Sequence, residues 1–557
     1  MIEDTRNLLE AHFDTAFSAP VGIARLRELI LTLAMQGKLV EQDPNDPPAS
    51  KLLKEIEAEK QRLVKAGIIK KPKPLPPIKP EEVPYELPQG WECVRLGDIG
   101  IWKSGSTPSR SNTSFYGGDI PWVKSGEVKQ GRIKTTDESI TQKALDKCSL
   151  HINEKGSILV AMYGANIGEV GILEIRAATN QAVCACKTYT NIDENYLLNL
   201  ITSLKPYFIS QGAGAAQPNI SREKIVATIF PLPPLPEQRR IVASIDQLMT
   251  RCDELEKLRK EREEKRLAAH AAAIKHLLDT PDGSAWDFIG QHFGELYTVK
   301  ENVAELRKAI LQLAVMGHLV PQDPNDPPAS ELLKEIEAQK QRLAKAGLIK
   351  KPKPLPPIKP EEVPYELPQG WEWVRLGSIG IWKSGSTPSR SNTSFYGGDI
   401  PWVKSGEVKQ GRIKSTEETI TRTALDKCPL QINEKGSVLV AMYGANIGEV
   451  GILEIEAATN QAVCACKTYT NFDENYLLYL ITSLKPYFLS QGAGAAQPNI
   501  SREKIVATIF PLPPASEQHR IVARIDQLMT SCDTIDQRID AASTKQTELL
   551  NAVMAQV

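Results

Sequence analysis

The chain is written twice. From Ala24 to Asp253 every residue has a counterpart 280 positions later with no gap, and only 31 of those 230 positions differ. A duplication in such register makes half the chain the unit of function, so two like sites are expected, related by whatever joins them. Solenoids are built otherwise, from several short repeats of roughly 20 to 50 residues. Here the unit is domain-sized and occurs twice, which points to a partner with twofold symmetry.

At 557 residues the chain can hold about three or four domains, each with its own core. Its 67 Lys and Arg nearly balance 68 Asp and Glu, so a nucleic-acid partner would be held by local patches and not by a global basic field. No run reaches the roughly 20 apolar residues of a membrane span, and Met1 to Pro20 lacks a basic start followed by an apolar stretch, so a cytoplasmic protein is expected. The nine cysteines follow the repeat: Cys148, Cys184, Cys186 and Cys252 recur as Cys428, Cys464, Cys466 and Cys532, while Cys93 becomes Trp373. Cys184 and Cys186 have C-x-C spacing inside an alternating run, which predicts a strand and not a zinc site.

Each half has three parts. Leu26, Leu29, Ile30, Leu33 and Leu39 keep helical spacing, Gly37 punctuates it, and Ser50 is expected to cap a second, charged helix running to about Lys65. From Lys70 to Pro88 the sequence is too rich in proline for helix or sheet and reads as an extended tether. A mixed domain follows from about Trp91 to Pro234, with a strand at Ser157 to Met162 and a helix near Glu194 to Leu204. The third part, from Glu237, places Ile241, Ile245, Leu248, Cys252 and Leu255 at intervals of three and four, a coiled-coil seam. Helical to Asp279, it would span roughly 65 Å. The seam recurs at Ile521, Ile525, Leu528 and Cys532 and ends with Leu549, Leu550 and Val553. Two seams in one chain can pair, and an antiparallel pairing is favoured over a parallel one.

Catalytic patterns fail on inspection. Asn45-Asp46-Pro47-Pro48-Ala49 is close to the [DN]-P-P-[aromatic] motif of amino-methyltransferases, but Ala49 offers no ring to stack on a flipped base. No P-loop is present. The glycines from Gly164 to Gly171 and at Gly212 and Gly214 are read as tight turns and not phosphate cradles. His151 becomes Gln431, His318 stands where Lys38 was and His519 where Arg239 was, which does not suit a catalytic or metal-binding histidine in two working copies.

The domain offers recognition chemistry instead. Lys103, Ser104, Ser106, Thr107, Arg110 and Asn112, then Lys124, Ser125, Lys129 and Arg132, then Tyr163, Asn166, Gln217, Asn219 and Arg222 are the candidate contacts. They recur as Lys383, Ser384, Ser386, Thr387, Arg390, Asn392, Lys404, Ser405, Lys409, Arg412, Tyr443, Asn446, Gln497, Asn499 and Arg502. Lys and Arg meet phosphates, hydroxyls fix register, and Arg, Asn and Gln read base edges. One surface lysine is usually only solvated, and Trp102 or Trp122 is more often core than contact. The clustering in loops, unchanged in both copies, predicts a binding site.

The order Leu87-Pro-Gln-Gly-Trp-Glu, Gly105-Ser-Thr-Pro, Ile120-Pro-Trp-Val-Lys-Ser-Gly-Glu, Asn180-Gln-Ala-Val, Gln217-Pro-Asn-Ile-Ser and Pro231-Leu-Pro-Pro-Leu-Pro-Glu-Gln-Arg-Arg resembles the specificity subunit of type I restriction-modification systems. It recurs from Leu367, Gly385, Ile400, Asn460, Gln497 and Pro511. The resemblance implies an α+β architecture: two repeated mixed α/β target recognition domains separated by long antiparallel coiled-coil helices, pseudo-twofold. The expected boundaries are a helical segment and Pro-rich arm at 1–88, recognition domains at 89–236 and 369–516, central helices and a second arm at 237–368, and a terminal helix at 517–557. It further implies a non-catalytic subunit that reads a bipartite site in double-stranded DNA and has no cofactor of its own. Two modification subunits would use S-adenosylmethionine to methylate adenine, and restriction subunits would use ATP and magnesium. Recognition domains in this family commonly differ from one another, whereas these nearly match, so half-sites that are inverted repeats are expected. Gln142 against Arg422, Lys143 against Thr423, Arg176 against Glu456 and Asn199 against Tyr479 are where that symmetry could break. A self-sufficient methyltransferase or nuclease would need a cofactor or metal motif. The competing non-enzyme reading, a bivalent coiled-coil adaptor for proteins, would lack salt-dependent DNA binding.

Overall fold

The computed structural model describes residues 17–19, 21–83, 85–190, 192–212, 218–280, 284–350, 354–492 and 498–555. The chain divides into two units, 1–261 together with 542–557, and 262–541. The second unit has the length of the repeat offset, and both divisions fall inside long helices, Leu235–Asp279 and Ala515–Ala555. The first unit is therefore assembled from both ends of the chain.

In the first unit the helix Gly22–Met35 buries Ile23, Leu29, Ile30 and Leu31. It ends because Gly37 takes a left-handed φ of 69°: the Gly37 amide donates to Ala34 O and the Lys38 amide to Leu33 O, a closure in which two orphan carbonyls find donors. A Cβ there would lie 2.4 Å from Pro88 Cγ, so the turn also sets how closely the Pro-rich segment approaches. The next helix is Ala49–Lys65, and Ser50 does not cap it. The N-cap is Pro48, Ser50 sits inside the first turn, and the Ala49 amide donates to Gly90 O instead.

Among its described residues the Pro-rich segment forms only a single 3-10 turn, Pro80–Glu82. It is also fastened. The buried Arg95 guanidinium donates to Pro76 O (3.0 Å), Ala227 O (2.7 Å) and Glu82 Oε1 (3.1 Å), which fastens the segment across the domain.

The domain opens with β1 (Glu92–Arg95) and closes with β10 (Ile229–Leu232), which pair antiparallel and so bring its two ends together. Between them lie β2 (Gly100–Ser104), β3 (Tyr116–Val123), β4 (Arg132–Ile133), β5 (Glu138–Ile140), β6 (Ile158–Ala161), β7 (Val170–Leu173), β8 (Ala178–Thr179) and β9 (Val183–Thr188). They form a five-stranded sheet, β2-β9-β6-β7-β4, and a three-stranded one, β5-β3-β8. The central strands are buried on both faces. Ile158, Val160, Cys184 and Cys186 enter the core shared with the helices, while Leu159, Ala161, Val183 and Ala185 enter a second core beneath the five-stranded sheet. The C-x-C spacing puts both cysteines on the one face that meets the helices, and that burial pushes the Cys184 thiol up to about 12.

The first long helix buries Ile241, Val242, Ile245 and Cys252 against the domain and the helix Gly22–Met35, whose Arg27 pairs with Asp253 (2.6 Å) and Glu256 (2.8 Å). The expected seam stops there. Leu255 and Leu258 are exposed, so the heptad-like residues serve the unit's own core through Cys252 and no further. The second unit repeats these elements in the same order and register, with Arg307 paired to Asp533 and Asp536. Its core takes in Ala273 and Leu277 from the end of the first long helix. Leu550, from the end of the second, packs on Phe17, Ala19 and Leu29 in the first unit.

Candidate nucleic-acid interface

The loop after β2 is held by its backbone. The Gly105 amide donates to Val183 O and the Ser106 amide to Thr179 O, both at 3.0 Å. A Cβ on Gly105 would come within 2.2 Å of Thr179 O, so only glycine lets the loop lie this close to the 179–183 turn. The same turn reaches β3 through the Asn180 amide on Val123 O (2.9 Å), and Trp122 Nε1 donates to Ser106 O (3.2 Å). Trp122 is 1% exposed and is a core residue, not a contact.

On this platform stands one cation cluster. The Arg110 guanidinium lies 4.6 Å from the Tyr116 ring centre and 5.3 Å from that of Trp122, and Tyr116 is itself pinned by its hydroxyl on Pro108 O (2.6 Å). Arg110 Nη1 donates to Glu138 Oε2 (2.6 Å), and Lys124 Nζ donates to the other oxygen of the same carboxylate (3.0 Å). The Arg110 and then the Lys124 hydrogen bonds hold the Glu138 carboxyl below its usual range. In the second unit Arg390 lies 4.5 Å from the Tyr396 ring and pairs with Glu418 at 2.6 Å, while Lys404 divides between Glu418 (3.2 Å) and Glu417 (2.7 Å).

Neighbouring candidates have definite tasks. Asn112 accepts from the amide (3.2 Å) and hydroxyl (2.7 Å) of Ser114, so it shapes a turn, and Lys143 Nζ donates to the same hydroxyl (3.0 Å). Lys124 and Ser125 open a 3-10 helix over Ser125–Gln130 that the buried Glu127 holds by accepting from the Lys124 amide (2.7 Å) and the Asp137 amide (2.8 Å). Among the described residues the exposed Lys103, Lys129 and Lys134 have no anionic partner, which leaves their charge available. Burial first and the Lys103 charge second push His151 below its ordinary value, which suits a position where the other copy holds Gln431. In the second unit Thr387, the copy of Thr107, donates to Gln461.

Arg132 does not join this cluster. It pairs with Glu174 and donates to Asn195 Oδ1 (2.6 Å) at the start of the helix Glu194–Ser203, and Arg412 does the same with Glu454 and Asn475. Tyr163, Asn166, Asn219 and Arg222 make no contact with the arginine cluster among the described residues. Tyr163 bridges Asn219, the Gly164 amide donates to Pro218 O (2.9 Å), Asn166 ends a 3-10 turn at Gly164–Asn166, and Arg222 pairs with Glu223 (3.0 Å). Ser221 caps the short helix Arg222–Ala227 by accepting from the Lys224 amide, which fixes where Arg222 leaves the backbone. Gln217 and Gln497 lie outside the described residues, as does Gly214.

The motifs flanking the domain are scaffold. Trp91 Nε1 donates to the buried Glu237 (2.9 Å), which also accepts from Gln42 (3.2 Å); Gln238 accepts from the Asp193 amide (3.1 Å) and donates to Pro233 O (2.9 Å). Arg240 pairs with Asp46 (2.6 Å), so the Asn45-Asp46-Pro47-Pro48 stretch is a structural turn. Among the described residues no three His, Cys, Asp or Glu side chains gather as a metal ion would need, and no helix is long and apolar enough to cross a membrane. Glu138 and Glu418 carry no signal in the sequence, because an acidic residue among cations looks like a solvated one until its partners are seen.

The family model of the type I restriction modification DNA specificity domain matches twice, at residues 88–264 and 368–542. The chain is 35% identical to the specificity subunit of the type I restriction enzyme EcoAI of Escherichia coli, across 96% of this chain and 93% of that one. It is likewise 35% identical to the EcoEI specificity subunit of Escherichia coli, with the same coverage. Among solved structures it is similar to the HsdS subunit from Thermoanaerobacter tengcongensis, at 19% identity and a TM-score of 0.44, over 85% of this chain and 98% of that one.

Proposed function

The chain belongs to the type I restriction-modification specificity subunits, and from that premise we propose that its two recognition domains, 89–236 and 369–516, read the two halves of one bipartite DNA site as inverted repeats of the same short sequence. One observation carries the symmetry: from Ile99 to Lys134 the copies do not differ at a single residue, and the Arg110 and Arg390 guanidiniums, each over a ring from that stretch and paired with the equivalent carboxylate Glu138 or Glu418, have matching geometry. The chain supplies specificity and no catalysis of its own. Lys103, Arg110, Lys124 and Lys129 with their copies would meet the DNA, as would Tyr163, Asn219 and Arg222 with theirs. Two modification subunits would carry S-adenosylmethionine and methylate adenines placed symmetrically on opposite strands, and restriction subunits would bring ATP and magnesium.

The test is a selection of bipartite DNA sites from a random library by the chain complexed with its modification subunit. Like half-sites in inverted order are expected, and unlike half-sites would sink the proposal. Removing one phosphate-binding cation should lower the slope of log K against log salt by roughly one, so K129A with K409A should flatten the salt dependence without changing the selected sequence.

A further inference from the structure

Glu138 is out of place on a surface that only gathers phosphates. Its side chain keeps 31% of its exposure and sits between Arg110 and Lys124, where it subtracts charge from the face that would attract DNA. A phosphate-binding cluster is stronger without it. Base reading makes the opposite demand, because hydrogen bonds to a base edge discriminate only when the donors are held in place.

The geometry around Arg110 meets that demand. The guanidinium is restrained from three sides: by the Tyr116 ring at 4.6 Å, by the Trp122 ring at 5.3 Å, and by Glu138, which accepts from Nη1 at 2.6 Å and Nη2 at 3.3 Å. The Tyr116 ring cannot swing away, because its hydroxyl is spent on Pro108 O, and Trp122 is fixed in the core. Lys124 closes the far side of the carboxylate at 3.0 Å. The second unit reproduces every restraint: Arg390 sees rings at 4.5 and 5.2 Å and Glu418 at 2.6 and 3.4 Å. A salt bridge between exposed side chains stabilises a fold little. That weakens a purely structural account of the pair.

We infer that Glu138 and Glu418 are positioning residues that orient Arg110 and Arg390 to read one guanine in each half-site. The inference rests on the reading of these loops as the DNA-facing surface. A fixed guanidinium presents paired donors to guanine O6 and N7, whereas a free one would settle equally well on any phosphate. The carboxylate acts through the arginine and repels a phosphate that would compete for it.

The experiment uses the full chain with its modification subunit and a library of DNA sites. E138Q with E418Q should lose about tenfold or more of the discrimination at one base pair in each half-site, while binding to DNA without the site stays the same or strengthens. R110K with R390K, which keep charge but lose the fork, should relax the same base pair. E138Q alone should relax one half-site only, and the unchanged other half then serves as the folding control in the same molecule. The inference is overturned if R110K relaxes a base pair that E138Q leaves intact, or if the two relax different base pairs. Selectivity untouched by both variants would overturn the placement of these loops on DNA as well.

Discussion

Trp91 and Glu237 stand 146 residues apart and share one buried hydrogen bond, which joins the start of the recognition domain to the helix that leaves it. Removing the carboxylate in E237A strands the indole N–H in the core and should cost about 1–3 kcal/mol, read by thermal unfolding of the complex. Burial raises the Glu237 pKa, so the folded chain takes up this proton more readily than the unfolded one. Its contribution to stability is therefore full below the ordinary carboxylate range and is lost as pH rises through the folded value. E237Q, which cannot titrate, should flatten that part of the profile. Among the differences between copies, Arg176 pairs with Glu154 and Tyr479 donates to Asp526 on the second long helix, engagements outside the arginine cluster. Lys143, which holds Ser114, and Asp137, which becomes Glu417 beside Lys404, lie next to it. Any inequality between half-sites is expected to follow Lys143 and Asp137, and K143T with D137E should equalise the two halves in the same site selection.

The long helices carry residues that look alike in sequence and differ in burden. Ile245 is 1% exposed and Leu255 is 45% exposed although both fit the same spacing. I245A should cost about 2–5 kcal/mol, and L255A should fall within roughly 0.5 kcal/mol of no effect; chemical denaturation distinguishes them. The ends of these helices also differ between the units in a correlated way. His270 Nε2 lies 3.3 Å from the Tyr297 hydroxyl inside the second unit, and 280 residues away the equivalent positions are Leu550 and Phe17, packed in the first. A polar pair has replaced an apolar one as a pair. H270L alone should therefore destabilise the second unit by about 1–3 kcal/mol through the stranded hydroxyl, and H270L with Y297F should recover most of it, a coupling that a double-mutant cycle measures. Burial pushes His270 below its ordinary value, so the unfolded chain binds this proton first and stability is lost as pH falls through the histidine range. The double variant should lose that acid sensitivity.

For the whole molecule, the division of the chain predicts unequal consequences for its two ends. Deleting 542–557 removes Leu550 from Phe17 and Leu29, while every element of the second unit lies within 262–541. Hydrogen exchange should speed up in Gly22–Met35 and leave Lys300–Met316 protected; equal loss in both would contradict independent units. The sequence by itself determined the duplication, the alternating buried strands, the helical segments and the family, because these are local patterns or fixed offsets. It placed Arg110 and Lys124, since loop composition advertises them. It misjudged Ser50 as a cap and Leu255 as a seam residue, and it did not show that Arg95 fastens the extended Pro-rich segment, because propensity and spacing say nothing of what a residue packs against. Only the tertiary structure decided that Glu138 holds Arg110 and Lys124 together, that Arg132 belongs to a different corner, and which helix end completes which unit. Those facts are made of contacts between residues tens to hundreds of positions apart, and chain folding alone chooses such partners.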